Sequence, residues 1–332
     1  MSKSFYLMIL ILWAGVLGNQ WPAGTTDNLV KSIKYSYIGS VGTHTWLFDA
    51  DYDIETGDIF YLGWINPPTY FVSRMDHLGN LVWGNAFNQW AVHFSLEYSS
   101  TYEKVYYTSY YSGIFALMQV NSTNGNYLGK YQVPGIYQDD YEYRCRLSKD
   151  ELSFFWTVGR SGYGQGILRF DQNSSQIQIA YYPSQYSYVN NILAITSNEV
   201  LYHLRSSSPT RVHIIKATYN SSSDLLVEDY HQSMLGYTNG DDWVISRLDQ
   251  NRETIWHVYI NYNLIYFQHN FTDFSIIGNK YASNVNVNSA WKFSMDVYDG
   301  IVWIAYTGNL IIINATTQAM IQVYHFSTTT YF

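Results

Sequence analysis

From about residue 46 to the C-terminus, apolar and polar residues alternate over short runs separated by clusters of Asp, Asn, Gly, Ser and Thr. A period of two punctuated by turn residues is the pattern of half-buried β-strands joined by tight turns. Residues 46–83, WLFDADYDIETGDIFYLGWINPPTYFVSRMDHLGNLVW, hold four such runs. The chain repeats this stretch five more times.

The second run of each copy has an aromatic residue at one fixed place: Tyr61, Tyr107, Phe155, Tyr202, Trp256 and Trp303. Their mean spacing is about 48 residues, within the roughly 40 to 50 of propeller repeats. A second column, on the first run, keeps the same register: Ala50, Leu96, Leu147, Ile195, Leu248 and Met295. These columns predict an all-β fold, a six-bladed β-propeller with four-stranded antiparallel blades at about 44–90, 91–140, 141–187, 188–240, 241–288 and 289–332. A further strand pattern precedes the first blade, with apolar Ile33, Tyr35 and Tyr37 alternating with polar residues. The sixth repeat has its own four strands, so this strand is surplus. It is expected as a fifth strand of the last blade or as a link to another molecule's sheet edge.

The second runs read FYLG, YYTS, FFWT, LYHL, IWHV and VWIA. This resembles the secreted β-propeller repeat families, in particular the YWTD type, although the closing Asp of that motif has no counterpart here. The resemblance implies a propeller and extracellular recognition.

Composition agrees with strands: Tyr (34) and Trp (11) are abundant and charged residues make up only 13%. A net charge of −8 without a basic run gives no electrostatic case for nucleic acid. At the N-terminus, Lys3, an apolar run from Phe5 to Leu17, and then Gly18, Asn19 and Gln20 have the layout of a signal peptide over residues 1–18. The run is shorter than the ~20 residues that span a bilayer, so no stable membrane span is expected. Residues 19–43 then form a segment with one strand. The single cysteine, Cys145, excludes an internal disulfide and reads as a small buried hydrophobe.

Five Asn-x-Ser/Thr acceptors, at Asn121, Asn173, Asn220, Asn270 and Asn314, all fall between the third and fourth strands of blades two to six. Only the first blade lacks one; it has His77, Leu78, Gly79 and Asn80 there. Turns favour Asn and Ser in any case, which accounts for the location. An exposed hairpin tip in a secreted chain is nonetheless a good acceptor, so N-linked glycans are expected.

Two loops between blades carry paired acids, Asp139 with Asp140 and Asp241 with Asp242, which could supply oxygen ligands to calcium. Acidic loops are more often simply solvated, and no cofactor is otherwise expected. On the first strands the polar residues Asp49, His93, Arg144, Arg146, Arg247 and Lys292 alternate with the apolar column. They could line a channel and bind an anion, or pair with one another between blades. GNYLGKY (125–131) and GYGQG (162–166) lack the spacing of nucleotide-binding loops, and neither HExxH nor GxSxG occurs. The expectation is a secreted, glycosylated, non-catalytic module that binds copies of itself or another extracellular protein in a coat, matrix or filament. The alternative is a hydrolase or lyase with a metal held by the paired acids.

Overall fold

The computed structural model describes residues 45–53, 55–65, 69–88, 92–111, 114–134, 145–160, 164–181, 186–207, 210–220, 222, 225–234, 244–249, 253–261, 263–286, 293–298, 300–306 and 309–325. These residues form six four-stranded sheets, each with its strands in chain order, and the fold is an all-β, six-bladed β-propeller. Two compact units divide it. The first runs to Leu147 and takes in residues 159–161, and the second is built from Ser148 onward.

In the first unit, blade 1 comprises β1 (Thr45–Tyr52), β2 (Ile59–Ile65), β3 (Thr69–Met75) and β4 (Leu81–Asn88). Blade 2 comprises β5 (Val92–Ser99), β6 (Lys104–Tyr111), β7 (Ile114–Asn121) and β8 (Tyr127–Pro134). Blade 3 is β9 (Cys145–Leu147), β10 (Ser153–Arg160), β11 (Gly164–Asp171) and β12 (Gln176–Tyr181); its first strand belongs to the first unit. In the second unit, blade 4 is β13 (Tyr186–Ala194), β14 (Glu199–Ser207), β15 (Thr210–Asn220) and β16 (Leu225–Met234). Blade 5 is β17 (Val244–Asp249), β18 (Thr254–Asn261), β19 (Asn263–Asn270) and β20 (Ile276–Asn286). Blade 6 is β21 (Phe293–Tyr298), β22 (Ile301–Tyr306), β23 (Asn309–Asn314) and β24 (Met320–His325).

The second and third strands are buried on both faces, which is why they are runs of aromatic and β-branched residues rather than strict alternations. All six aromatic column residues are buried. Tyr107, Phe155, Tyr202 and Trp256 pack between successive blades, whereas Tyr61 packs within its own. Phe60, Leu62 and Val72 of blade 1 meet Leu96, Val105 and Tyr107 of blade 2. In the second unit Ile195, Leu201 and Ile214 meet Ile255 and Phe267, and Trp256 and Val258 meet Val302 and Ile304.

The first-strand column pairs with the aromatic column only in part. Tyr61 stands opposite Ala50 and Tyr107 opposite Leu96, but Trp256 faces Arg247, Trp303 faces Asp296 and Tyr202 faces Ile192, while Ile195 follows the end of β13 at Ala194. Hairpin turns of different length set these offsets.

Candidate functional site

The turn from third to fourth strand is built on one Asx residue in every blade. Asn121 Oδ1 accepts from the N–H of Thr123 (2.9 Å) and Asn124 (3.1 Å), and the Gly125 N–H closes onto Asn121 O at 2.9 Å. The same device recurs at Asn270 (Thr272 N–H, 2.7 Å) and Asn314 (Thr316 N–H, 2.9 Å), and Asn220 accepts from the Ser222 N–H at 2.9 Å. The fifth turn residue is left-handed, at Gly125 (φ 74°), Ser175 (56°), Phe274 (59°) and Gln318 (57°). Gly125 has a second constraint, since a Cβ there would lie 2.8 Å from the Trp83 ring.

Blades 1 and 3 differ. In blade 3 the Asx role belongs to Asp171, whose Oδ1 accepts from the Ser174 N–H at 2.9 Å, and Asn173 sits exposed two residues into the turn. In blade 1 Asp76 takes the role, accepting from the Leu78 N–H at 2.9 Å, and the turn is one residue shorter, with Gly79 N–H donating to Asp76 O at 2.9 Å. Four of the five acceptor asparagines are therefore required by the turn itself. Asn173 is not.

The residue after the acceptor is anchored. Ser122 and Ala315 are buried, and their N–H groups donate to Glu103 O (2.9 Å) and Gly300 O (2.8 Å) in the first-to-second turn of the same blade. Ser122 O accepts from Arg74 Nη1 (3.0 Å) and Trp83 Nε1 (2.7 Å), while Ala315 O accepts from Gln268 Nε2 (3.1 Å). Beside these fixed turns the fourth strands expose apolar side chains: Tyr127 and Leu128, Val227, Ile276, and Met320 with Ile321. In blade 1, which lacks an acceptor, Leu78 and Val82 are exposed as well and Leu81 is 63% exposed.

The polar residues of the first strands in the first unit join one blade to the next. A bulge interrupts β1 between Leu47 and Asp49, and Asp49 Oδ2 accepts from Ser95 Oγ (3.0 Å) and the Leu96 N–H (2.9 Å). Asp51 Oδ2 accepts from the Tyr98 N–H (2.7 Å), and Asp53 Oδ2 from the Tyr98 hydroxyl (3.1 Å). One blade on, Glu97 accepts from the Leu147 N–H (3.2 Å) and pairs with Arg146 at 2.5 Å. Burial pushes the Asp51 carboxyl up to about 8, reinforced by the negative charges of Glu97 and Asp49. Burial also raises Glu97, with Arg146 opposing.

In the second unit the corresponding contact between blades 4 and 5 is built from histidine. His203 Nε2 lies 3.0 Å from Ser246 Oγ, which is 2.6 Å from His257 Nδ1, and His257 Nε2 is 2.9 Å from His269 Nδ1. All four residues are fully buried. Burial lowers the His203 pKa to about 3, so the ring is neutral. Among the described residues His203 Nδ1 has no hydrogen-bond partner.

Of the residues expected in a polar column, Asp49 takes part in the blade 1 to blade 2 contact and Arg146 in the blade 2 to blade 3 contact just described. Arg247, on β17, donates through Nη1 to Ser246 O at 3.0 Å. His93 lies on β5. Arg144, Lys292, the paired acids Asp139, Asp140, Asp241 and Asp242, and the strand residues Ile33, Tyr35 and Tyr37 lie outside the described residues. Among the described residues no group of three or more His, Cys, Asp or Glu is set to share one metal ion. The sequence reading missed Asp51, Glu97 and the four-residue histidine chain. The spacing of 47 between Asp51 and Tyr98, close to the repeat, was the available signal for the first; His203 and His257 each follow an aromatic column residue, Tyr202 and Trp256, whereas Ser246 and His269 have no such mark.

No protein-family model matches the chain, and no curated protein matches it in sequence. Solved structures match as β-propellers. A periplasmic gluconolactonase from Pseudomonas aeruginosa is 10% identical with a TM-score of 0.55, over 84% of this chain and 85% of that one. A putative 6-phosphogluconolactonase from Bacteroides fragilis is 9% identical with a TM-score of 0.57, over 84% of each chain. Hydrazine synthase from Kuenenia stuttgartiensis is 10% identical with a TM-score of 0.55, over 85% of this chain and 80% of that one. These similarities establish the fold, and the diversity of the three names shows how little chemistry the fold alone carries.

Proposed function

We propose that this protein is a secreted, N-glycosylated, non-catalytic propeller that assembles with copies of itself in an extracellular structure. The observation that carries the reading is the outer hairpin. In four of the five acceptor blades, exposed apolar residues at the head of the fourth strand adjoin the acceptor turn, and the blade without an acceptor exposes the most. Repeated apolar surface is surface to be covered, by glycan or by a partner. The ionisable groups Asp49, Asp51, Glu97 and Arg146 support the same reading, because they are engaged in joining neighbouring blades. The test is expression through a glycosylating secretory route. Enzymatic deglycosylation should lower the mass in several steps, and light scattering should detect species larger than a monomer that grow with concentration. Secretion as an unglycosylated monomer at every concentration overturns the reading.

A second reading, a hydrolase, draws on the lactonases among the similar structures and on Asp51. With its carboxyl pushed up to about 8 by burial, Asp51 would hold a proton at neutral pH for donation to a leaving group. Turnover of simple sugar lactones that disappears in Asp51→Asn would favour it; absence of turnover across such a panel would remove it.

A further inference from the structure

The outer pair of strands in blade 4 presents two histidines to solvent that take no part in the blade contacts above. In the β15–β16 ladder Ile215 stands opposite His231 and His213 opposite Ser233, so His213 and His231 are diagonal neighbours on one face. Their rings lie 5.0 Å apart at 60°, and His213 Nδ1 is 2.9 Å from His231 Nε2.

A bulge sets the third member. The ladder passes from Lys216 opposite Tyr230 to Ala217 opposite Glu228, so Asp229 is skipped. An extra residue re-aims the side chains beside it, which brings Glu228 and His231, three apart, together. Glu228 Oε2 lies 3.9 Å from His231 Nδ1. His231 thus turns Nδ1 toward a carboxylate and Nε2 toward the second imidazole. A carboxylate behind one ring nitrogen, leaving the other to bind, is the support that metal-ligating histidines commonly have.

We propose that His213 Nδ1 and His231 Nε2 form a surface site for a divalent transition ion with square-planar or octahedral preference, Cu2+ or Ni2+. The distance selects the class. Two nitrogens 2.9 Å apart, each about 2.0–2.1 Å from a metal, subtend about 90° at it once each ring turns about 45° from the hydrogen-bond axis toward the ion; that is the angle of adjacent positions in those geometries and narrower than a tetrahedral ion wants. Without metal, one proton is shared across the 2.9 Å gap between His213 Nδ1 and His231 Nε2. Metal binding displaces that proton, which passes to the other nitrogen of its ring or to solvent, and leaves both facing nitrogens as ligands. Glu228 remains outside the coordination sphere, and water fills the other positions.

Titrating the full chain with Cu2+ by calorimetry, with electron paramagnetic resonance of the bound ion, tests the site. The expected result is one dominant site with hyperfine splitting from two nitrogens. His213→Ala and His231→Ala should each abolish it, and Glu228→Gln should weaken it by about tenfold. Unchanged melting temperatures would certify that the exposed variants fold. Absence of Cu2+ binding, or a titration that both histidine variants leave unchanged, overturns the proposal.

Discussion

The contact between blades 1 and 2 and that between blades 4 and 5 solve one problem with opposite chemistry. In both, first-strand groups must be satisfied across a gap between sheets, since a buried polar group without a partner costs about 1–3 kcal/mol. In the first unit carboxylates do this, each accepting backbone N–H groups of the next blade. In the second a chain of imidazoles and one hydroxyl, His203–Ser246–His257–His269, does it with His203 held neutral by burial. The difference teaches that a propeller repeat prescribes where a polar bridge is needed, and leaves open whether its weakness lies in acid or in base.

The largest effect should come from breaking the histidine chain. Ser246→Val removes the hydroxyl between two buried imidazoles and leaves both nitrogens without their partner, a loss of about 3 kcal/mol in denaturant unfolding. A loss near zero would mean that the chain contributes no stability to the blade 4 to blade 5 contact.

Next come two opposed pH dependences. Burial depresses His203 from 6.5 to about 3, so its contribution is complete above pH 6.5 and is lost as the pH falls toward 3, at a slope of up to about 1.4 kcal/mol per pH unit. Burial raises Asp51 from 3.8 to about 8, so its contribution is complete below pH 3.8 and is lost as the pH rises toward 8. His203→Phe should flatten the acid limb of a stability profile and Asp51→Asn the alkaline limb. If the two variants alter the same limb, the contrast between the contacts fails.

A smaller effect separates the turn from the glycan. At Asn121, Asn270 and Asn314 the side-chain oxygen is a structural acceptor, so Asn→Ala should cost about 1 kcal/mol while Asn→Asp keeps the turn and removes the glycan acceptor. Asn173→Ala should cost almost nothing, because Asp171 holds that turn. Equal melting temperatures for Asn121→Ala and Asn121→Asp would show that the Asx bond is dispensable.

The smallest effect on stability is expected at the bare hairpin. Leu81→Lys, at a position 63% exposed, should leave unfolding within about 0.5 kcal/mol of the parent and reduce concentration-dependent association in light scattering. Association unaffected by this change would move the assembly surface away from blade 1.

The blades were legible because a period of two and a period of about 48 are properties of residue order. Tyr61, Tyr107 and Trp256 recur in the middle of second strands, which are buried on both faces whatever their neighbours do. Asn121, Asn220, Asn270 and Asn314 were legible for a related reason: a turn that starts on an Asx residue is a local structure, closed by bonds to residues two to four positions on. The His203 to His269 chain was legible only in part: His203 and His257 each follow an aromatic column residue, but its members come from β14, β17, β18 and β19, and only packing brings them together. Ile195 falls outside the first strand for a similar reason, since where the β13–β14 hairpin closes is set by the pairing of the two strands.

The sequence by itself thus determined what depends on short stretches of chain: strands, turns, the number of blades and the positions of the glycan acceptors. Tertiary structure alone decided which polar groups meet across blades, that Asp51 is pushed toward neutrality while His203 is held neutral, and that a bulge at Asp229 brings Glu228 beside His231. The physical reason is range. Alternation and Asx turns are fixed by bonds between near neighbours, whereas desolvation and hydrogen bonding between sheets depend on residues about 40 or more positions apart, whose approach is set by the packing of whole blades.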